Sequence, residues 1–224
     1  MDNMLIQNNL ISNSLKNDIK KFIFLGSSCI YPKMAPQPLK EEHLLSGPLE
    51  PSNQWYAIAK ISGVKLIEAI RTQYKKDYVA LMPTNLYGPG DNYDLETSHV
   101  LPAMLRKFHE AKENNHAPVT LWGTGTPLRE FLHVDDLAEA VVFSMENTLE
   151  ESLYNVGSAE EISIKELALL IQETVGHKGE IIWDKSKPDG TPRKLLDSTS
   201  FKTLGWKPNI KTEEGIKKTY ESFI

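Results

Sequence analysis

Short apolar runs alternate with helical stretches along the whole chain, and that alternation is the strongest restriction on its fold. Met4, Leu5, Ile6, Leu10, Ile11 and Leu15 recur near helical spacing, so residues 2 to about 17 read as an amphipathic helix leading into a strand at 21–26. Residues 32–54, rich in Pro, Gly and Glu, read as a long surface loop; WYAIAKISGVKLIEAIRTQY follows as a helix and 78–83 as a strand. PTNLYGPGDNY reads as a loop, 98–113 as a helix and VTLW at 119–122 as a strand. REFLHVDDLAEAVVFSMEN reads as a strand, a cap from Asp135 or Asp136, and a helix to about 147, before a strand at LYNVG. The tail adds a helix at ISIKELALLIQETVG, a strand at GEIIW, the loop DKSKPDGTPRK, a short helix near 198–204 and a last helix near 212–223.

Strands and helices in this order build a largely parallel sheet covered on both faces. Ligands of such sheets sit beyond the carboxyl ends of the strands, where GSSCIYP (26–32) and PTNLYGP (83–89) fall.

At 224 residues, 40% hydrophobic and 25% charged, the chain suits one globular domain or two small lobes. A single cysteine excludes an intramolecular disulfide and favours a reducing compartment, so the expected location is cytoplasmic. MDNMLIQNNLISNS has neither the basic start nor the apolar core of a signal peptide, and no run approaches the roughly 20 apolar residues of a membrane span. A formal charge of −5 argues against nucleic acid, so neither nucleic acid nor a membrane is expected as a partner. No His or Cys spacing resembles a zinc site; the expectation is no metal, with His133 beside Val134 and Asp135 structural.

Tyr56 and Lys60 lie four residues apart on a predicted helix and share one face. A lysine ammonium beside a phenol favours the phenolate, which would make tyrosine a usable proton donor and acceptor near neutral pH. Among eight tyrosines and 21 lysines, roughly one such pair arises by chance, so the spacing alone is weak. The strand-end pair Ser27-Ser28 upstream strengthens it, because a serine to hold a carbonyl oxygen, a tyrosine to protonate it and a lysine to tune the tyrosine suit carbonyl reduction. Taken alone, Cys29 reads as packing at a strand end, His99 as a polar residue near a helix start, and exposed Lys or Arg as solvated.

The serine, tyrosine, lysine order resembles the short-chain dehydrogenase/reductase superfamily in its extended, sugar-nucleotide branch. Within it, GSSCIYP, EPSNQWYAIAK, MPTNLYGPGDNY, SHVLPAMLRKFHEA, LWGTGTPLREFLHVDDLA and SKPDGTPRKLLD resemble the bacterial GDP-L-fucose synthases over nearly all 224 residues. The resemblance implies NADPH-dependent 3,5-epimerisation and 4-reduction of GDP-4-keto-6-deoxymannose by a homodimer. It implies catalytic roles for Ser27, Cys29, Tyr56, Lys60 and His99, with Cys29 and His99 as the acid/base pair that inverts C3 and C5. It implies contacts to NADP(H) from Ser27, Ser28, Tyr56, Lys60, Pro83, Thr84, Asn85, Leu86 and His99; read from the residues alone, Asn85 in PTNLYGP can hydrogen-bond across its own tight turn. For the GDP-sugar it implies Lys107 and Arg129 as cations for the diphosphate, Trp122 as a flat apolar wall and Asp189 as an acceptor.

The family opens on a glycine-rich turn that binds the cofactor pyrophosphate. Gly88-Pro89-Gly90 has proline between its glycines, and Gly123-Thr124-Gly125 lacks a third glycine three residues on. The expected fold is therefore α/β: a Rossmann-like doubly wound parallel sheet, truncated at its N-terminus, with a smaller α/β substrate-binding lobe. Residues 1–95 and 130–157 are expected to form the NADP-binding part, and 96–129 and 158–224 the GDP-sugar lobe. Two rival readings remain: another extended sugar-nucleotide epimerase or reductase, which would not need Cys29 and His99 as a proton-transfer pair, and an inactive nucleotide-sugar-binding fragment.

Overall fold

A computed structural model describes all 224 residues. The elements run α1 (Asp2–Lys16), β1 (Lys21–Leu25), α2 (Gln54–Tyr74), β2 (Asp77–Pro83), β3 (Asn85–Tyr87), α3 (Val100–Glu113), β4 (Val119–Trp122), β5 (Leu128–His133), α4 (Val134–Glu146), β6 (Leu153–Val156), β7 (Glu161–Ser163), α5 (Ile164–Val175), β8 (Ile181–Asp184), β9 (Arg193–Lys194), α6 (Thr199–Lys202) and α7 (Thr212–Phe223). The architecture is α/β with parallel pairing throughout except between β5 and β7, and no helix is long and apolar enough to cross a membrane.

The chain forms two compact units, residues 1–84, 136–159 and 195–207 in one and 85–135, 160–194 and 208–224 in the other. These boundaries differ from the expected lobes at 85–95, 130–135, 158–159 and 195–207. Residues 85–95 join the second unit because β3 pairs with β5, in the register Asn85–Phe131 to Tyr87–His133. Residues 195–207 return to the first unit because Leu196 bridges to Leu39 and the Phe201 ring packs 5.6 Å from Tyr154 and 5.7 Å from Phe143.

The first unit is built on the parallel sheet β1-β2-β6. DYVALMP is buried from Tyr78 onward because β2 is the central strand, which is why it reads as a continuous apolar run rather than an alternating one. Ile61, Val64, Ile67 and Ile70 of α2 recur at helical spacing and pack with Phe24, Ala80 and Met82 in one core. Gly63 lets α2 approach closely: a Cβ there would collide with the Phe24 ring and lie 3.1 Å from Cδ of Gln7 on α1. The 32–54 segment is not simply a surface loop. Tyr31, Ala35 and Leu39 are core residues, a 3-10 turn covers Glu41–His43, and buried Asn155 fastens the segment to β6.

The second unit holds two sheets, β3-β5-β7 with β9 on β5, and the pair β4-β8. Its core joins Leu101, Leu105 and Phe108 of α3 to Leu167, Ile171 and Val175 of α5 and to Ile216 of α7. Three short strands escaped the sequence reading: β3 inside the expected loop, β7 at the start of the expected helix, and the two-residue β9. The expected Asp135 or Asp136 cap is also corrected. Helix α4 starts at Val134, so both aspartates lie inside its first turn, and the Asp135 N–H donates to His133 Nδ1 at 3.2 Å. His133 thus ties its ring to the backbone of this helix start.

Candidate active site

Strand β1 ends at Leu25 and the chain turns through a buried 3-10 segment, Ser28–Ile30. Ser27 is extended ahead of it, and its hydroxyl accepts the Cys29 N–H at 3.4 Å. Helix α2 brings Tyr56 and Lys60 to the same strand end. The Lys60 ammonium donates to the Leu25 carbonyl at 2.8 Å and lies 5.7 Å from the centroid of the Tyr56 ring. Ser27 and Cys29 both lie close enough to Tyr56 to shift its pKa, Ser27 downward and Cys29 upward, and Cys29 acts on Lys60 as well. Four expected catalytic residues, separated by up to 33 positions in sequence, therefore meet at one end of β1.

The electrostatics of this cluster correct one expectation. Tyr56 is held above the usual tyrosine range: burial is the main cause and Cys29 adds to it, while Ser27 opposes both. Lys60 does not depress the phenol, because its ammonium is engaged by the Leu25 carbonyl and is itself pushed below the usual lysine range by burial, against the pull of Cys29.

Pro83 ends β2, the neighbour of β1, and Thr84 follows it with its N–H on the Val156 carbonyl at 3.0 Å. Ser28 is buried behind the strand end. Asn85 and Leu86 open β3. The Asn85 side chain does not close its own turn as expected; Nδ2 donates to the Glu130 carbonyl of β5 at 2.7 Å, across the β3–β5 pairing.

His99 is the exposed residue just before α3, with extended backbone and no side-chain bond to the helix start. It lines a cavity of about 210 Å³ with Leu86, Tyr87, the Gly88–Asp91 segment and Val134. The loop ahead of it is fixed by Asp94, whose Oδ1 accepts from Glu96 N, Thr97 N and Thr97 Oγ1 at 3.1, 3.0 and 2.9 Å. Ser98 N then donates to the Asp94 carbonyl at 2.8 Å.

The expected GDP-sugar residues cluster around β4 and β8. Trp122 ends β4 with 65% of its surface exposed, and Lys187 Nζ lies 5.5 Å from its ring centroid. Lys107 reaches from α3 to the Thr120 carbonyl at 3.4 Å. Arg129 donates only to its neighbour's Leu128 carbonyl, at 2.7 Å; burial lowers its pKa and the Asp189 carboxylate partly restores it. Asp189 Oδ1 accepts the Thr124 N–H at 2.6 Å and Oδ2 the Thr124 hydroxyl at 2.9 Å. Sequence reasoning missed Thr124 and Lys187 as members of this cluster. The Gly-Thr-Gly run was the only signal for Thr124, and Lys187 carried none beyond its place in SKPDG.

Residues 1–157 match the NAD dependent epimerase/dehydratase family. The chain is 56% identical over 223 residues to a probable GDP-L-fucose synthase 1 of Oryza sativa subsp. japonica, covering 99% of this chain and 68% of that one. It is 52% identical over 231 residues to the GDP-L-fucose synthase of Escherichia coli, covering 99% and 72%. A solved GDP-L-fucose synthetase from Naegleria fowleri bound to NADP matches with a TM-score of 0.92 and 31% identity, over 99% of this chain and 71% of that one. Relatives at this identity, spanning more than two thirds of their length, leave one assignment: the chain belongs to the GDP-L-fucose synthase family of NAD dependent epimerases/dehydratases.

Proposed function

We propose that this protein converts GDP-4-keto-6-deoxy-D-mannose to GDP-L-fucose with NADPH. The observation that carries the reading is the meeting of Ser27, Cys29, Tyr56 and Lys60 at the carboxyl end of β1. The names of the relatives favour it over another extended epimerase or reductase.

Inverting C3 and C5 requires removing protons alpha to the C4 ketone and returning them from the opposite face. The ketone makes both carbons acidic, and a cysteine and a histidine are side chains that change protonation close to neutral pH. Cys29 and His99 take these roles as acid and base, with no covalent bond to the sugar. Reduction of the C4 carbonyl then needs a donor for its oxygen. Tyr56, held above the usual tyrosine range, gives the proton, and the Ser27 hydroxyl, which accepts the Cys29 N–H, donates its own proton to the oxygen.

The donor set at the strand end fits the cofactor. Lys60 uses one of its three N–H donors on the Leu25 carbonyl, leaving two for ribose hydroxyls, and Ser27 and Tyr56 supply hydroxyls alongside. Bound NADPH supplies the hydride for C4. Ser28, Pro83, Thr84, Asn85, Leu86 and His99 complete the contacts in this reading, while Lys107, Arg129, Trp122 and Asp189 hold the GDP moiety. Residues 1–95 and 130–157 would carry the cofactor and the remainder the GDP-sugar, with the boundaries shifted as the two compact units require.

The reading includes a cytoplasmic homodimer associating through α2, without nucleic acid or membrane partners. Trp55 and Ile58 on α2, 74% and 43% exposed, support the association, and a free thiol at Cys29 suits a reducing compartment. The test is NADPH oxidation by the purified protein on GDP-4-keto-6-deoxymannose. GDP-fucose should form at the rate NADPH is consumed; folded protein that binds GDP yet oxidises no NADPH would refute the proposal.

A further inference from the structure

Thr124 sits at the tip of a turn whose every link is specific. Gly123 and Gly125 hold positive φ, +80° and +75°, on either side of it. A Cβ on Gly123 would collide with the Asp189 carboxylate, and one on Gly125 would lie 2.6–2.9 Å from the Trp183 ring. The turn is therefore packed against the 184–190 segment as closely as glycine allows. Gly123 N donates to the Asp184 carbonyl at 2.9 Å, and the Gly125 carbonyl accepts from Lys165 N at 2.8 Å.

The proton count at Thr124 follows from its partners. An ionised Asp189 only accepts, so the Thr124 hydroxyl gives its single proton to Oδ2. The Thr126 hydroxyl, 2.8 Å from Thr124 Oγ1, must then be the donor in that pair, and Thr126 N adds a second donor at 3.3 Å. One hydroxyl thus joins the turn to Asp189 and closes the turn on itself. Trp122 immediately precedes it. Gly190, next to Asp189, has the Arg129 guanidinium 3.6 Å from the point where a side chain would begin.

We propose that Thr124 is a positioning residue for the GDP-sugar: it acts through Asp189 to fix Trp122 and Arg129 relative to one another. Asp189 then serves two ends, as an acceptor for the GDP-sugar and as the clamp on Thr124. The proposal rests on the nucleotide-sugar reading above.

Calorimetric GDP binding to the purified protein, with steady-state kinetics alongside, tests it. Thr124→Val removes the hydroxyl and keeps the branched shape; GDP affinity should fall about tenfold, the loss expected for one hydrogen bond to a charged group. KM for the sugar nucleotide should rise in parallel while kcat stays within about twofold. Thr124→Ser, which keeps the hydroxyl, should restore wild-type affinity. Asp189→Asn should weaken GDP at least as much, and the Thr124→Val/Asp189→Asn double variant should be no weaker than Asp189→Asn alone. Wild-type affinity in Thr124→Val, or multiplicative losses in the double variant, would overturn the proposal. If valine unfolds the protein, Thr124→Ala gives the same readout without the branched bulk. Wild-type protein that binds no GDP would instead refute the underlying reading and this inference with it.

Discussion

Replacing Asn155 with Ala should be among the most destabilising single changes in the protein, and it should loosen Cys29. Asn155 is fully buried at the end of β6. Its Oδ1 accepts the Tyr31 hydroxyl at 2.5 Å, and its Nδ2 donates to the carbonyls of Leu39 and Asp197 at 2.9 and 3.2 Å. Leu39 keeps a partner in Asn155→Ala, because its carbonyl also accepts Asp197 N at 2.8 Å. Tyr31 does not; this residue, 4% exposed, would hold a hydroxyl stripped of its bond, at about 1–3 kcal/mol. The lost amide bonds add about 1 kcal/mol each, so the total is about 3–5 kcal/mol. Urea unfolding measures it, and Tyr31→Phe supplies the control: with no hydroxyl to orphan, Asn155→Ala should cost about 1–2 kcal/mol less in that background. Tyr31 lies two residues after Cys29, at the end of the same turn. The thiol of Asn155→Ala should therefore react with a disulfide reagent several-fold faster than in the wild type. A loss below about 1 kcal/mol, or an unchanged thiol rate, would refute the anchoring of the Ser28–Ile30 turn by Asn155.

Tyr56→Phe should abolish NADPH oxidation by at least about 100-fold, the usual worth of a positioned general acid, while leaving GDP affinity unchanged; a smaller loss would exclude Tyr56 as the donor. Cys29→Ser should block exchange of the C3 and C5 hydrogens with deuterated solvent by a comparable factor, and unaffected exchange would favour the reductase reading without epimerisation. Stability should fall at high pH through Tyr31, whose phenol burial raises well above the ordinary tyrosine range, with the Glu41 charge adding to it and the Asn155 bond opposing. The sign follows from linkage: the folded state keeps the proton that the unfolded chain loses above about pH 10, so the contribution is complete below that pH and declines by about 1.4 kcal/mol per pH unit above it. Tyr31→Phe should flatten this decline in unfolding experiments between pH 9.5 and about 11, and an unchanged slope would assign it elsewhere. Gly63→Ala should cost about 1–3 kcal/mol in urea unfolding because its methyl must displace Phe24 and Gln7; a neutral result would mean that α2 can shift away from β1.

The parts of this fold legible in sequence are those governed by local periodicity. Helices α1, α2 and α7 fall within a residue or two of where their apolar spacing puts them, and β2 announces itself as a buried central strand by its unbroken apolar run. Strands β3, β7 and β9 were not legible, because each has three residues or fewer and owes its strand geometry to β5 rather than to its own composition. The buried character of the 32–54 segment was hidden in the same way: its prolines and glutamates read as surface, while the contact that inverts that reading is made with Asn155, more than a hundred positions away.

Electrostatics were hidden more deeply still, and the catalytic cluster shows why. The spacing of Tyr56 and Lys60 correctly put them on one helix face, but it carried no information on what each faces. Lys60 turns to a backbone carbonyl at the end of β1, and Cys29, brought in by the following turn, pushes the pKa of both side chains up. A negative charge beside a phenol disfavours a second one, and this adds to the burial that holds Tyr56 above the usual tyrosine range. In the proposed mechanism that coupling would keep Tyr56 protonated, as an acid for the C4 oxygen must be. Replacing Cys29 with Ser should therefore lower the pKa of Tyr56 in the free protein, read as phenolate absorbance during alkaline titration against a Tyr56→Phe background. A titration unmoved by the loss of the thiol would show that burial alone holds the phenol high.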